Sequence, residues 1–292
     1  MPLIADFFGY LGEPWQAEFM RRALVAALLA STVSGVIGSF VVLKGMSFIG
    51  DALPHASFGG IAIAFVLGVN LQLGGAFAVL LWALAIGFVT RRGFIRHDTA
   101  IGLSLMAGFA LGVLIISRQS NYTVDLFGFV FGNVLAVSWR DVWVAAGLGA
   151  LVILMVGLFY KELLFTAYDP SMAAATGIPV TLLHYGLLAL IGLTVVIGLQ
   201  VMGIVLVLAM LVAPAATAQL LARSLPGIMA GAAAIGGLAT VCGLYAAWYA
   251  DVSVSSAIVL SAVGLFVLAF LFSPHKGLFR QFILSNKRMT LA

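Results

Sequence analysis

Asp51 and His55, in the segment GMSFIGDALPHASFGGIAIAF, are the ionisable pair in this sequence best placed to do chemistry. They stand four residues apart in a long apolar stretch. Burying such a group in a membrane costs about 2.5–3.5 kcal/mol on insertion scales, so it usually carries a function. On a helix, this spacing puts carboxylate and imidazole on one face. The ligand set is borderline-hard and suits Mn2+, Fe2+ or Zn2+, and the lack of a thiolate argues against Cu+. One such pair is too small for a closed metal site. Two copies across a two-fold axis would supply two oxygens and two nitrogens. A structural reading stands beside this one. Pro54 suits the first turn of a helix, so Asp51 could cap a helix over 54–70 while His55 bonds a neighbouring carbonyl. Spacing leaves both readings open, and a capping Asp51 could still reach a metal held by His55.

Most other acids lie in loops or tails. Asp98 or Thr99 is expected to cap the next helix, and His184 and His275 to sit at membrane interfaces. Gln200 and Met202, in the turn before Gly203, are candidates for lining a path. Pro214 should kink its helix, leaving a carbonyl and Thr217 to face a cavity or a neighbouring helix. Cys242, the single cysteine, reads as a small buried hydrophobe. No GxxxxGK[ST], HExxH or GxSxG pattern occurs, so the chain is not expected to hold ATP phosphates or to act as an enzyme.

These side chains must be positioned by membrane helices. Of the 292 residues, 63% are hydrophobic and 8% charged, against about 45–50% and roughly 25% in soluble domains. That excludes soluble globular, disordered and nucleic-acid-binding classes. An all-α polytopic membrane protein follows, because open sheet edges do not survive in lipid. Apolar runs long enough to span cover 23–43, 54–70, 74–90, 100–117, 141–160, 184–200, 203–222, 226–249 and 254–272. The separator Asn70–Gly75 is weak, so eight spans are the alternative to nine. Gly108 with Gly112, and Gly227 with Gly231, form small-xxx-small pairs that let helices approach closely.

The transmembrane domain is expected over 23–272, preceded by an amphipathic interfacial segment 1–22 and followed by a basic cytoplasmic tail 273–292. Asp6, Glu13 and Glu18 precede any basic residue, the wrong order for a signal peptide. Arg91, Arg92 and Arg96, with Lys276, Arg280, Lys287 and Arg288, place one connector and the tail in the cytoplasm. The N-terminus then falls outside, against the bias of Arg21 and Arg22. Residues 121–139 read as an outer re-entrant or surface helix. The connector 161–183 is cytoplasmic and contains a short helix begun at Asp169-Pro170 and ended by Gly177 and Pro179.

Several co-linear segments carry a resemblance: GSFVVLKGMSFIGDALPHASFGGIAIAF, HDTAIG, VDLFGFVFGNVLAVSWRDVW, TAYDPSMAAATGI and LQVMGIVLVLAMLVAPAATAQLLA. Over about residues 20–275 the sequence resembles the membrane permeases of the manganese/zinc/iron family of bacterial ABC importers. The resemblance implies a homodimeric, type II importer-like permease in the bacterial plasma membrane. Its partners would be two cytoplasmic ATP-binding subunits and an extracytoplasmic metal-binding protein, and it would hold no permanent cofactor. The family's GDA-x-x-H motif falls on Asp51 and His55, which would coordinate the transported ion. The coupling segment that docks on the ATPase falls on Ala167–Gly177, with Tyr168, Asp169, Pro170, Ala173 and Gly177 as its carriers. Residues 124–139 fall on the outer region near the gate.

FLFSPHKGLF and HYGLLAL look more like manganese and iron members than zinc members, so Mn2+ is expected first, with Zn2+ and Fe2+ behind it. Both ligand types bind deprotonated, so uptake should fall as pH drops through the histidine range. Two rival readings are a stand-alone, gradient-driven transporter and a structural membrane subunit. The first would need more intramembrane acids or histidines than this single pair.

Overall fold

A computed structural model describes residues 12–91, 95–118 and 134–273 of the chain. The sequence readings on 1–11, on 121–133 and on the tail from 274 onward lie outside the described residues. Among the described residues eleven α-helices follow in order: α1 Glu18–Leu43, α2 Ile49–Leu67, α3 Leu71–Thr90, α4 His97–Ile116, α5 Trp139–Leu158, α6 Tyr160–Tyr168, α7 Pro170–Ala175, α8 Val180–Val201, α9 Ile204–Leu221, α10 Leu225–Ala250 and α11 Val254–Phe272. Nine of them, all but α6 and α7, are long and apolar enough to cross a membrane. The described residues contain no strand.

Local chemistry explains the breaks. Asn70 accepts hydrogen bonds from the N–H groups of Gln72 and Leu73 at 2.9 and 3.2 Å, which caps α3 and separates it from α2. The weak separator is therefore a true helix boundary, and the described residues hold nine candidate spans rather than eight. Ser138 and Asp141 form a reciprocal capping box that starts α5.

Several expectations about helix ends are corrected. The α1 helix starts at Glu18, five residues before the expected 23. The α2 helix starts at Ile49, five residues before the expected 54, with Phe48 at its N-cap and Pro54 inside it. Ile49, Ala52 and Leu53 are completely buried, and burying this apolar turn is what extends the helix backwards. Asp51 is thus a first-turn residue and not a cap. At α4, Arg96 occupies the N-cap without a side-chain bond, and both Asp98 and Thr99 lie within the helix. The α8 helix starts at Val180, four residues before the expected 184. Cys242 is exposed, because Gly243 and Leu244 beside it face the interior of the bundle.

Packing divides the bundle into neighbourhoods. The α1 helix is central and touches α5, α8, α9 and α10, while α2 is clasped between α3 and α4 and also meets α8 and α9. Small residues make the clasp possible. A side chain on Gly108 of α4 would meet the backbone of Ala56 in α2 at 2.6 Å, and Gly112 lies against Phe58 and Gly59. Gly231 likewise lies against Ala218. Outward faces carry apolar side chains such as Phe77, Trp143 and Leu260, as lipid contact requires.

The connectors sort by end. Lys44, Arg91, His97, Pro170 and His184 surround one cavity at one end of the bundle. At the other end Trp15, Glu18, Arg21 and Trp139 surround a second cavity of about 520 Å3.

Candidate metal centre

The α2 helix presents Asp51 and His55 one turn apart on a face that α3 and α4 leave open. The two side chains are 35% and 30% exposed, respectively. His55 Nδ1 lies 2.9 Å from the Asp51 carbonyl oxygen and 3.3 Å from Asp51 Oδ1. The carbonyl can only accept, so Nδ1 carries the proton and donates. In the neutral imidazole this bond leaves the lone pair that a metal needs on Nε2. The His55 ring stands edge-on to Phe109, with centroids 6.2 Å apart, and Phe109 packs on Phe58. This aromatic wall limits how far the imidazole can swing.

Depth follows from the neighbours. Phe109 is the thirteenth residue of α4 (97 to 109), about 18 Å along it at 1.5 Å per residue. Gly50 lies against Leu208 and Leu211, near the middle of α9. The pair therefore sits in the middle of the bundle's thickness although it belongs to the first turns of α2. Within a single chain it stays a pair, since no group of three or more His, Cys, Asp or Glu gathers among the described residues. Asp51 and His55 alone supply one carboxylate and one imidazole nitrogen, half of a four-ligand shell.

The other anticipated residues divide. Thr217 is buried and its hydroxyl donates to the Ala213 carbonyl of its own helix at 2.7 Å. Met202 and Pro214 are also buried, and α9 continues through Pro214. These three are packed within the single chain, whereas Gln200 is partly exposed.

The connector residues form a compact unit. Asp169 Oδ1 accepts from the Met172 N–H at 2.9 Å, capping α7, with Pro170 at its first position. The left-handed turn at Gly177 (φ 86°) lets its own N–H reach the Ala174 carbonyl and the N–H of Ile178 reach that of Ala173. Ala173 is fully buried, while Tyr168 and Met172 are exposed. The unit is anchored on one side and presents an apolar surface on the other.

One cluster escaped the sequence reading. Lys44, Arg91, His97 and His184 come from four separate stretches yet line the same cavity. His97 and His184 were read singly, and nothing in their spacing announces the meeting.

The fold and the site together define a multi-pass, all-helical membrane protein with an intramembrane carboxylate–imidazole pair. The profile of the ABC 3 transport family matches residues 16–273, and the chain belongs to that family. It is 44% identical over 265 residues to the manganese transport system membrane protein MntC of Halalkalibacterium halodurans, covering 91% of each chain. It is 40% identical to the manganese import system permease protein ScaB of Streptococcus gordonii, over 89% of this chain and 93% of that one. The solved structure of PsaBC from Streptococcus pneumoniae in complex with Fab superposes with a TM-score of 0.80. In that comparison 92% of this chain and 97% of the other are covered, at 36% identity.

Proposed function

We propose that the chain is the transmembrane permease of an ATP-driven importer that carries a divalent transition metal, Mn2+ foremost, into the cytoplasm. The observation that carries this reading is the Asp51–His55 geometry. An oriented imidazole with Nε2 free stands beside a carboxylate at mid-bundle depth, on a face left open by its own chain. A second copy of the chain across that face completes the ligand shell, so the working unit is a homodimer. The names of the manganese relatives support the choice of cargo. Zn2+ and Fe2+ fit the same ligands and are the runners-up.

The mechanism proposed for this arrangement is alternating access. An extracytoplasmic binding protein delivers the ion, and the paired Asp51 and His55 groups replace the waters that it loses. Two cytoplasmic ATP-binding subunits dock on the coupling segments, through the exposed Tyr168 and Met172 beside the buried Ala173. When the ATPases close, the segments are drawn together and the ion is released inwards. Gln200, Met202, Pro214 and Thr217 are the path-lining candidates of the assembled permease. ATP hydrolysis belongs to the partners, and this chain catalyses no reaction and holds no permanent cofactor. Lys44, Arg91, Arg96 and Lys161 gather at the end bearing the coupling segment, which supports placing that end and the C-terminus in the cytoplasm of a bacterial plasma membrane.

Co-reconstitution of the chain with its ATP-binding subunit in liposomes should give ATP-dependent Mn2+ accumulation. Competition with Zn2+ and Fe2+ would rank the cargo. Accumulation that persists without the ATPase and collapses with an ion gradient would sink the ABC mechanism.

The coupling unit yields a separate prediction. Asp169→Ala removes the cap of a six-residue helix, at a cost of about 1 kcal/mol, which so short a helix cannot absorb. Uptake and metal-stimulated ATP hydrolysis should fall several-fold, while the thermal stability of the bundle stays unchanged. Equal transport by Asp169→Ala would show that the order of α7 does not matter for coupling.

A further inference from the structure

The cavity at the basic end measures about 490 Å3, within the roughly 300–1,000 Å3 usual for small-ligand sites. Lys44, Arg91, His97 and His184 converge on it, and the rings of His97 and His184 meet edge-on at 5.7 Å. Among the described residues no acidic side chain lines it. Asp98, the nearest acid in sequence to His97, is exposed. Lys44 is half-buried, and no carboxylate pairs with it or with Arg91 among the described residues. Burial holds the Lys44 pKa below the ordinary lysine value, as expected for an ammonium short of compensation. The α4 and α8 helices begin at the rim, at His97 and Val180, and neither has a side-chain cap. In α8 the Val180 N–H donates to the Ile178 carbonyl at 2.8 Å, which leaves the next first-turn N–H groups of α8 and those of α4 to face an anion. The cavity offers donors and positive charge, so it repels a metal cation and suits a group with several acceptor oxygens.

We propose that this cavity binds the phosphate of an anionic lipid in the leaflet on that side. The choice of a lipid over a soluble anion rests on the flanks. Phe88, Val89 and Leu182 are exposed apolar side chains, and in sequence they lie within one turn of the rim residues Thr90, Arg91 and Thr181. Acyl chains have a surface to lie on beside a basic headgroup pocket, the arrangement by which helices recognise anionic lipids. Pro170 lines the same cavity, so a bound headgroup braces α7 against the bundle.

This proposal is independent of the metal site. Purified full-length chain in detergent is titrated separately with phosphatidylglycerol, phosphatidylcholine and inorganic phosphate, and bound molecules are counted by native mass spectrometry. Phosphatidylglycerol should be retained over phosphatidylcholine, and its apparent affinity should fall roughly tenfold or more in Lys44→Ala/Arg91→Ala. Arg21→Ala/Arg140→Ala removes equal charge from the opposite end and should leave retention unchanged. The milder Lys44→Gln, checked as monodisperse, should show an intermediate loss and so separates a binding defect from misfolding. Inorganic phosphate that saturates the site and displaces the lipid would overturn the lipid assignment in favour of a soluble anion. Equal retention by wild type and by both Lys44 variants would overturn the proposal.

Discussion

Asp51→Asn is expected to lower ATP-dependent metal uptake by at least about 100-fold, beyond the 10–100-fold typical of losing a residue that merely orients a ligand. Asparagine keeps the size of the side chain and one acceptor oxygen but removes the negative charge. In a symmetric site built from two copies, both carboxylates are lost at once. Folding should be spared, for Asp51 is partly exposed, caps nothing, and bonds only to its neighbour His55 among the described residues. His55→Ala should be equally damaging to uptake, since it removes Nε2, the nitrogen left free by the Nδ1–carbonyl bond. The two variants together should be no worse than either alone, because each already breaks the same shell. Uptake assays alongside thermal unfolding separate the effects. Wild-type uptake with either variant would falsify the metal-ligand assignment and favour a structural role for the pair.

Gly108→Ala should have the second largest effect, although it changes no chemistry. A methyl group there would stand 2.6 Å from Ala56 Cα and 2.7 Å from its carbonyl oxygen. Those are backbone atoms and cannot rotate away, so α2 and α4 must separate. Overpacking of this kind costs about 1–3 kcal/mol. His55 is the residue next to Ala56, and its ring leans on Phe109, the residue next to Gly108, so the displacement reaches the Asp51–His55 pair directly. A drop of several degrees in unfolding temperature and a several-fold loss of uptake are expected together. Gly102→Ala is the control. It lies in the same helix with nothing within 4 Å of the added carbon, and it should be neutral or mildly stabilising through helix propensity. If Gly108→Ala unfolds like the wild type, the close approach of α2 and α4 is not as drawn here.

How much of this was legible beforehand depends on the range of the forces involved. The connector is one example. Asp169, Pro170 and Gly177 set the ends of α7 through bonds to groups three to five residues away, and such local signals can be read from the chain in order. Asp51 is different. Whether it caps a helix or sits inside one depended on the burial of Ile49, Ala52 and Leu53 against distant segments, which spacing does not reveal. Cys242 was misjudged for a related reason. In helices that are apolar on every side, hydrophobic periodicity no longer marks the face that packs.

The amino-acid sequence by itself determined the class, the membrane helices, the capped connector and the Asp51–His55 pair, because composition, run length and i,i+4 spacing are properties of contiguous chain. Tertiary structure alone decided which faces are buried and how deep the pair lies. It also decided that His97 and His184 meet beside Lys44 and Arg91. Each of these is a contact between helices far apart in sequence, and in lipid such contacts are set by close packing at small residues like Gly108, not by an apolar stripe that the sequence displays.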